Sequence, residues 1–372
     1  MLETVPKISW HLHEGPDNLG IRRCPECTPW CSCLRAYLEY VEPGMLGCHH
    51  LAEQASDLQV DCAYAFLMGV SGAALRLSWK HGWHGDNAAS WMLHPDPAAL
   101  FNHTLEALGI PRTVTGCEKP GPARDQVLRL IDQSLRDGKP AIAHGIVGPP
   151  EECLITGYDE GGEVLTGWSF FQDDPTERES LEFEPTGEFR KRNWFENFWD
   201  VIVLEDRQGE LDVTRAIRES LPWIVQAMRT ETTYGRANGL AAFDAWADDI
   251  SDEVQFGPAS DVPLERKFEA HSNAADVIAE GRWYASRYLA MAARFLPYQA
   301  SDLLAAAACC AKEHELMWEL WACYEGPSRG EVQQQNFARP EVRRNVAKLL
   351  RRSRDEDIRA CEHMETAIHN MS

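Results

Sequence analysis

Leu34, Tyr37, Leu38 and Val41 recur at i, i+3, i+4 and i+7, one apolar stripe that predicts a helix over 33–41. Pro29 precedes it and Pro43-Gly44 stops it. Residues 61–79 read as a helix followed by a small-residue turn, and 98–108 and 125–137 as two more helices. Pro140-Ala-Ile-Ala-His144 has the pattern of a buried strand. The stretches 151–158 and 163–168 flank Asp159-Glu-Gly-Gly162, which predicts a hairpin with glycine where the turn needs positive φ. Residues 199–204 read as a last strand. Beyond 207 the pattern turns helical, over 211–230, 236–250, 273–296, 301–324 and 341–369. Tyr284, Tyr288, Met291 and Phe295 form a core-facing stripe in the third of these. Ser301 is placed as an N-cap, and 255–271 and 325–335 read as loops. The expected fold class is α+β over 1–206, followed by an all-α helical domain over 207–372.

Composition narrows the function classes. The chain has 372 residues, 44% of them hydrophobic, as in a folded globular protein. Asp plus Glu (58) exceeds Lys plus Arg (36), giving a formal charge of -22. A surface this acidic repels phosphate backbones and anionic lipid, so no nucleic acid and no membrane are expected as partners. No run of 18 apolar residues occurs, and the start carries no signal-peptide pattern. A cytoplasmic protein with reduced thiols is expected, although twelve cysteines are present.

Cys24, Cys27, Cys31 and Cys33 fall within ten residues. They can supply four thiolates to zinc, but the two pairs lie closer than zinc modules place them, so no metal and no cofactor are expected. Cys33 opens the expected helix, where partial positive charge favours thiolate, the nucleophilic form. Cys48-His49-His50 reads as loop rather than dyad or metal half-site. Gly69-Val-Ser71-Gly-Ala73 approaches a nucleophile elbow, but the segment before it is helical rather than extended. Trp79-Lys-His-Gly-Trp-His84-Gly-Asp86-Asn87 sets aromatic walls beside polar tips and makes His84, Asp86 and Asn87 candidate substrate-binding residues. Alternation along 151–157 puts Glu151 and Cys153 on one strand face, a carboxylate beside a second thiol. The arginines 343, 344, 351, 352 and 354 read as a solvated helix face or a contact surface.

Cys153-Leu-Ile-Thr-Gly-Tyr-Asp-Glu-Gly-Gly-Glu-Val-Leu-Thr-Gly-Trp168 resembles the central strands of the papain-like cysteine peptidase superfamily, in particular the bacteriocin-processing-peptidase-like and butirosin biosynthesis protein H N-terminal group. Residues 64–79 and 238–246 resemble a bacterial family in the same group that has a helical C-terminal half. The resemblance spans roughly 20–205 and implies a papain-like helix-plus-antiparallel-sheet domain. It also implies a thiol-dependent acyltransferase, or an amide or thioester hydrolase, acting on a small-molecule or carrier-bound acyl substrate. In the family register the nucleophile falls on Pro29, the histidine on Glu151 and the Asp/Asn near Gly167-Trp168. A site here is therefore rearranged. Its catalytic candidates are Cys33, Glu151 and Cys153, with Trp168 and Gln172 on the substrate side and Gln172 placed to stabilise an oxyanion. The alternative is a non-catalytic papain-like module that binds a small ligand or a metal. A homo-oligomer through the helical half is left open.

Overall fold

The computed structural model describes residues 2–8, 26–45, 62–116, 124–258 and 260–371. In chain order the helices are α1 (Pro29–Val41), α2 (Cys62–Val70), α3 (Ala99–Leu108), α4 (Arg124–Arg136), α5 (Pro175–Arg178), α6 (Val213–Arg229), α7 (Leu240–Ser251), α8 (Leu264–Phe295), α9 (Ala300–Ala322), α10 (Glu331–Phe337) and α11 (Pro340–His369). The strands are β1 (Ser78–Trp79), β2 (Arg112–Gly116), β3 (Ala141–His144), β4 (Glu152–Asp159), β5 (Val164–Ser169), β6 (Glu182–Phe183), β7 (Phe189–Arg192), β8 (Asp200–Leu204), β9 (Thr232–Thr233) and β10 (Arg236–Asn238). The chain is a mixed helix-and-sheet protein with a helical C-terminal half. The described residues form two compact units. One draws on residues 2–8, 26–45, 62–67, 108–116 and 124–211, the other on 68–107, 212–258 and 260–371. Besides the region after 206, the second unit thus takes in residues 68–107 of the first half.

The first unit is built on a seven-stranded sheet in the order β2-β8-β3-β4-β5-β7-β6, with every pairing antiparallel. Side chains alternate across it. Ala141, Ala143, Cys153, Ile155, Leu165 and Val201 join Val127 and Ile131 of α4 in one core. Ile142, His144, Glu152, Leu154 and Ile202 have the opposite parity, and α1 packs against β4 on that side. The expected β4–β5 hairpin is present, with Gly161 and Gly162 at φ 65 and 95°. A Cβ on Gly162 would also stand 2.1 Å from Leu128, so glycine serves both the turn and its packing. Strand β2 was not anticipated. It lies at the sheet edge and leaves Val114 43% exposed, so it lacks the apolar run of an inner strand.

In the second unit the stripe on α8 is buried at Tyr284, Tyr288 and Met291. Two glycines permit close backbone approach. A Cβ on Gly69 would fall 2.0 Å from the Tyr288 ring, and one on Gly281 would fall 2.4 Å from the Ala74 carbonyl. Several expected boundaries move. β10 occupies the start of the expected 236–250 helix, so α7 begins at Leu240. α8 begins at Leu264, inside the expected 255–271 loop, with Pro263 at its N-cap. α9 begins at Ala300 with Gln299 at its N-cap rather than Ser301, because the short turn Pro297–Gln299 runs directly into it. α10 begins inside the expected 325–335 loop. Four arginines of α11 form ion pairs within their own unit, Arg343 with Glu253, Arg351 with Asp248, Arg352 with Glu319 and Arg354 with Asp244, of which only Arg343 is fully buried. Among the described residues, no helix is long and apolar enough to cross a membrane.

Candidate functional site

Pro29, expected ahead of the helix, stands at its first position, where its fixed φ and missing N–H suit a helix start. α1 accordingly begins there and not at Cys33. Cys33 is the fifth helical residue, beyond the turn in which the helix dipole acts strongly. It is fully buried, as is Cys31. Burial pushes the Cys33 thiol well above its usual range, and the Glu152 carboxylate and then Cys153 add to the rise. Arg35 opposes it but is engaged with Glu26 and Glu39, each at 2.8 Å.

The carboxylate beside this thiol is Glu152, and this corrects the expected placement of Glu151. β4 opens at Glu152, so Glu151 precedes the strand. Strand alternation then sends Glu152 to the α1 side, while Cys153 enters the α4 core. Burial pushes the Cys153 thiol up to about 11, against bonds to Ser169 and the Val147 carbonyl.

Glu152 belongs to a row of three polar groups that the cross-strand register creates. His144 on β3 is paired with Glu152 on β4 and with Asp200 on β8. Its Nδ1 donates to Asp200, and its Nε2 lies 3.2 Å from Glu152 Oε1. Burial works against charge on this ring, but the hydrogen bonds and charges of Asp200 and Glu152 outweigh it and hold the imidazole pKa up at about 10. At neutral pH the ring is an imidazolium with both N–H groups committed to carboxylates. It is therefore not a free base for a thiol. Reading the sequence missed His144, Glu152 and Asp200. The only local signal was a histidine ending a buried strand.

Trp168 and Gln172 are also buried in this unit. Trp168 lies opposite Leu154 on β5. Gln172 accepts from the Ser169 N–H and donates to the Gly187 carbonyl, both at 3.0 Å. Its amide pins two loops, which explains its burial without an oxyanion. A cavity of about 290 Å³ begins just past His144 and is lined by Gly145, Lys191, Asn193, Trp194 and Asn197 among others.

His84, Asp86 and Asn87 lie in the second unit, so the two sets of candidates belong to different units. Asn87 is buried and accepts from the Lys80 N–H and from Arg236 Nη1, each at 2.9 Å. Asp86 accepts from Arg236 Nη2 at 2.5 Å. These two residues shape the loop, while His84 is half-buried on its outer part. Ser71 follows a helix and not a strand, and its Oγ donates to the Met68 carbonyl, so it does not form an elbow. Cys24 and Cys48-His49-His50 lie outside the described residues. Among the described residues, no three His, Cys, Asp or Glu side chains form a metal-ligand group. In comparison with known proteins, no family model and no curated sequence matches the chain.

Proposed function

We propose that the first unit is a papain-like module that binds a small ligand without thiol turnover. The observation that carries this reading is the setting of Cys33, with no solvent exposure and a carboxylate as its strongest charged neighbour. A nucleophilic cysteine needs access and a cationic partner to hold thiolate. Here the cation, His144, is spent on Glu152 and Asp200. The ligand belongs in the cavity beside Gly145, where Lys191, Arg192 and two asparagines can hold a carboxylate and Glu196, also in the lining, can take a donor group of the same small molecule.

Alkylation of the native chain with iodoacetamide, followed by peptide mapping, tests the thiol. Cys27, which is half-buried, is expected to be modified well before Cys33 at neutral pH. Faster labelling of Cys33 than of Cys27 would sink the reading and restore a cysteine-dependent acyltransferase or hydrolase. Calorimetric titration with a panel of small carboxylates tests the cavity, and Lys191→Met is expected to abolish any binding found.

A further inference from the structure

The cavity beside Gly145 is lined by two opposite charges that do not meet. Lys191 lies on β7 between Arg190 and Arg192. Strand alternation sends those arginines to one face and Lys191 to the other. Arg190 pairs with Asp159 and Glu184, and both Nη atoms of Arg192 bond to Glu160 at 2.7 Å. Half-buried Lys191 instead donates to the neutral Ser180 hydroxyl at 3.2 Å. Glu196 lies in the same lining. Among the described residues, neither Lys191 nor Glu196 forms an ion pair, with the other or with any third group.

The turn that carries Glu196 is fixed in place. The Glu196 N–H donates to the Asn193 carbonyl at 3.1 Å, and Asn193 takes φ 55°, a backbone that asparagine tolerates better than most residues. Trp194 anchors the turn in the core, its Nε1 donating to the Gly162 carbonyl at 2.9 Å. The end of the turn presses on Gly145, where a Cβ would fall 2.2 Å from the Asn197 carbonyl oxygen. Gly145 also has φ 78°, so glycine is what lets the turn approach the β3–β4 connection this closely. An anion on a set turn thus shares one cavity with a cation on a strand, and each is left without a counter-charge.

A simple carboxylate would satisfy Lys191 and leave Glu196 beside a like charge. A simple amine would do the reverse. A molecule that bears both charges satisfies both residues at once, and in an α-amino acid they stand one carbon apart. The asparagines 193 and 197 offer donors to one end and acceptors to the other. At about 290 Å³ the cavity is at the lower limit of ligand pockets, which favours a small side chain. We propose, resting on the carboxylate-binding reading of this cavity, that its ligand is a small free α-amino acid bound as the zwitterion, with its carboxylate at Lys191 and its ammonium at Glu196.

The test titrates the full chain with alanine, propionate and ethylamine at neutral pH and reads the amide NMR shifts of Gly145 and Lys191. Propionate is alanine without its ammonium, and ethylamine is alanine without its carboxylate. Alanine is expected to bind about tenfold more tightly than propionate, and ethylamine more weakly than either. Glu196→Gln changes an exposed side chain and keeps its shape, and it is expected to bring alanine and propionate to one affinity. Equal affinity of the native chain for alanine and propionate would overturn the proposal and leave carboxylate binding standing, as would an alanine preference that survives Glu196→Gln. Shifts with none of the three, or with ethylamine alone, would remove the carboxylate reading and the proposal together.

Discussion

His144 in the first unit and His271 in the second are both buried, and the two are handled in opposite ways. His144 lies between two carboxylates and is held protonated up to about 10. His271 on α8 is fully buried among Trp246, Phe268, Tyr324 and Phe337, stacking on Phe337 at 4.6 Å. Neither of its ring nitrogens has a hydrogen-bond partner, and burial pushes its pKa down to about 3. Desolvation acts on both rings. It loses where two anions border the imidazole and wins where only aromatic faces do. Burial alone therefore does not set a histidine's charge; its neighbours do.

Removing the rings should break this symmetry most strongly. His144→Ala leaves Glu152, itself 3% exposed, as an unpaired buried carboxylate, and should cost about 3–5 kcal/mol. Hydrogen exchange of the β3 and β8 amides under urea would read the loss, and unchanged protection would show that Glu152 is neutralised some other way. The pH dependence should separate the units next. An unfolded histidine titrates near 6.5. The contribution of His144 is complete below that pH and is lost as pH rises towards about 10, where the folded ring gives up its proton. The contribution of His271 is complete above 6.5 and is lost as pH falls towards about 3. Each slope is at most roughly 1.4 kcal/mol per pH unit. Amide protection should thus weaken in β3 and β8 on the alkaline side and in α8 on the acid side; the reverse pattern would refute the assignment. The smallest effect is expected from His271→Phe, which replaces two unpartnered nitrogens with carbon among aromatic rings. It should stabilise the second unit by about 1 kcal/mol and flatten its acid limb, and a loss of stability would reveal a hidden partner for His271.

Much of the architecture was legible from periodicity. The β4–β5 hairpin follows from two apolar stretches around Asp159-Glu-Gly-Gly162, and α1 from its stripe and Pro29. The polar row was not legible, because its members come together through register. Asp200 stands 56 positions from His144, and no local pattern couples them. Whether Glu151 or Glu152 faces α1 depends on a one-residue choice of strand start, and such a slip reverses every side chain that follows. The sequence marked the loop of His84, Asp86 and Asn87 as a ligand site but gave no hint of Arg236, which holds it.

Helix α8 carries a further consequence. Its 32 residues make a rod of about 48 Å that bears His271 and, three turns on, Arg282. Arg282 is buried and bonds to Glu313 on α9, to Asp357 on α11 and to the Ala74 carbonyl. Tyr288, further along, bonds to Ser220 of α6. One continuous rod therefore ties the aromatic cage, the buried ions and three other helices into a single foldon. The helical unit should open all at once, with amides on α6, α8, α9 and α11 exchanging at one common free energy.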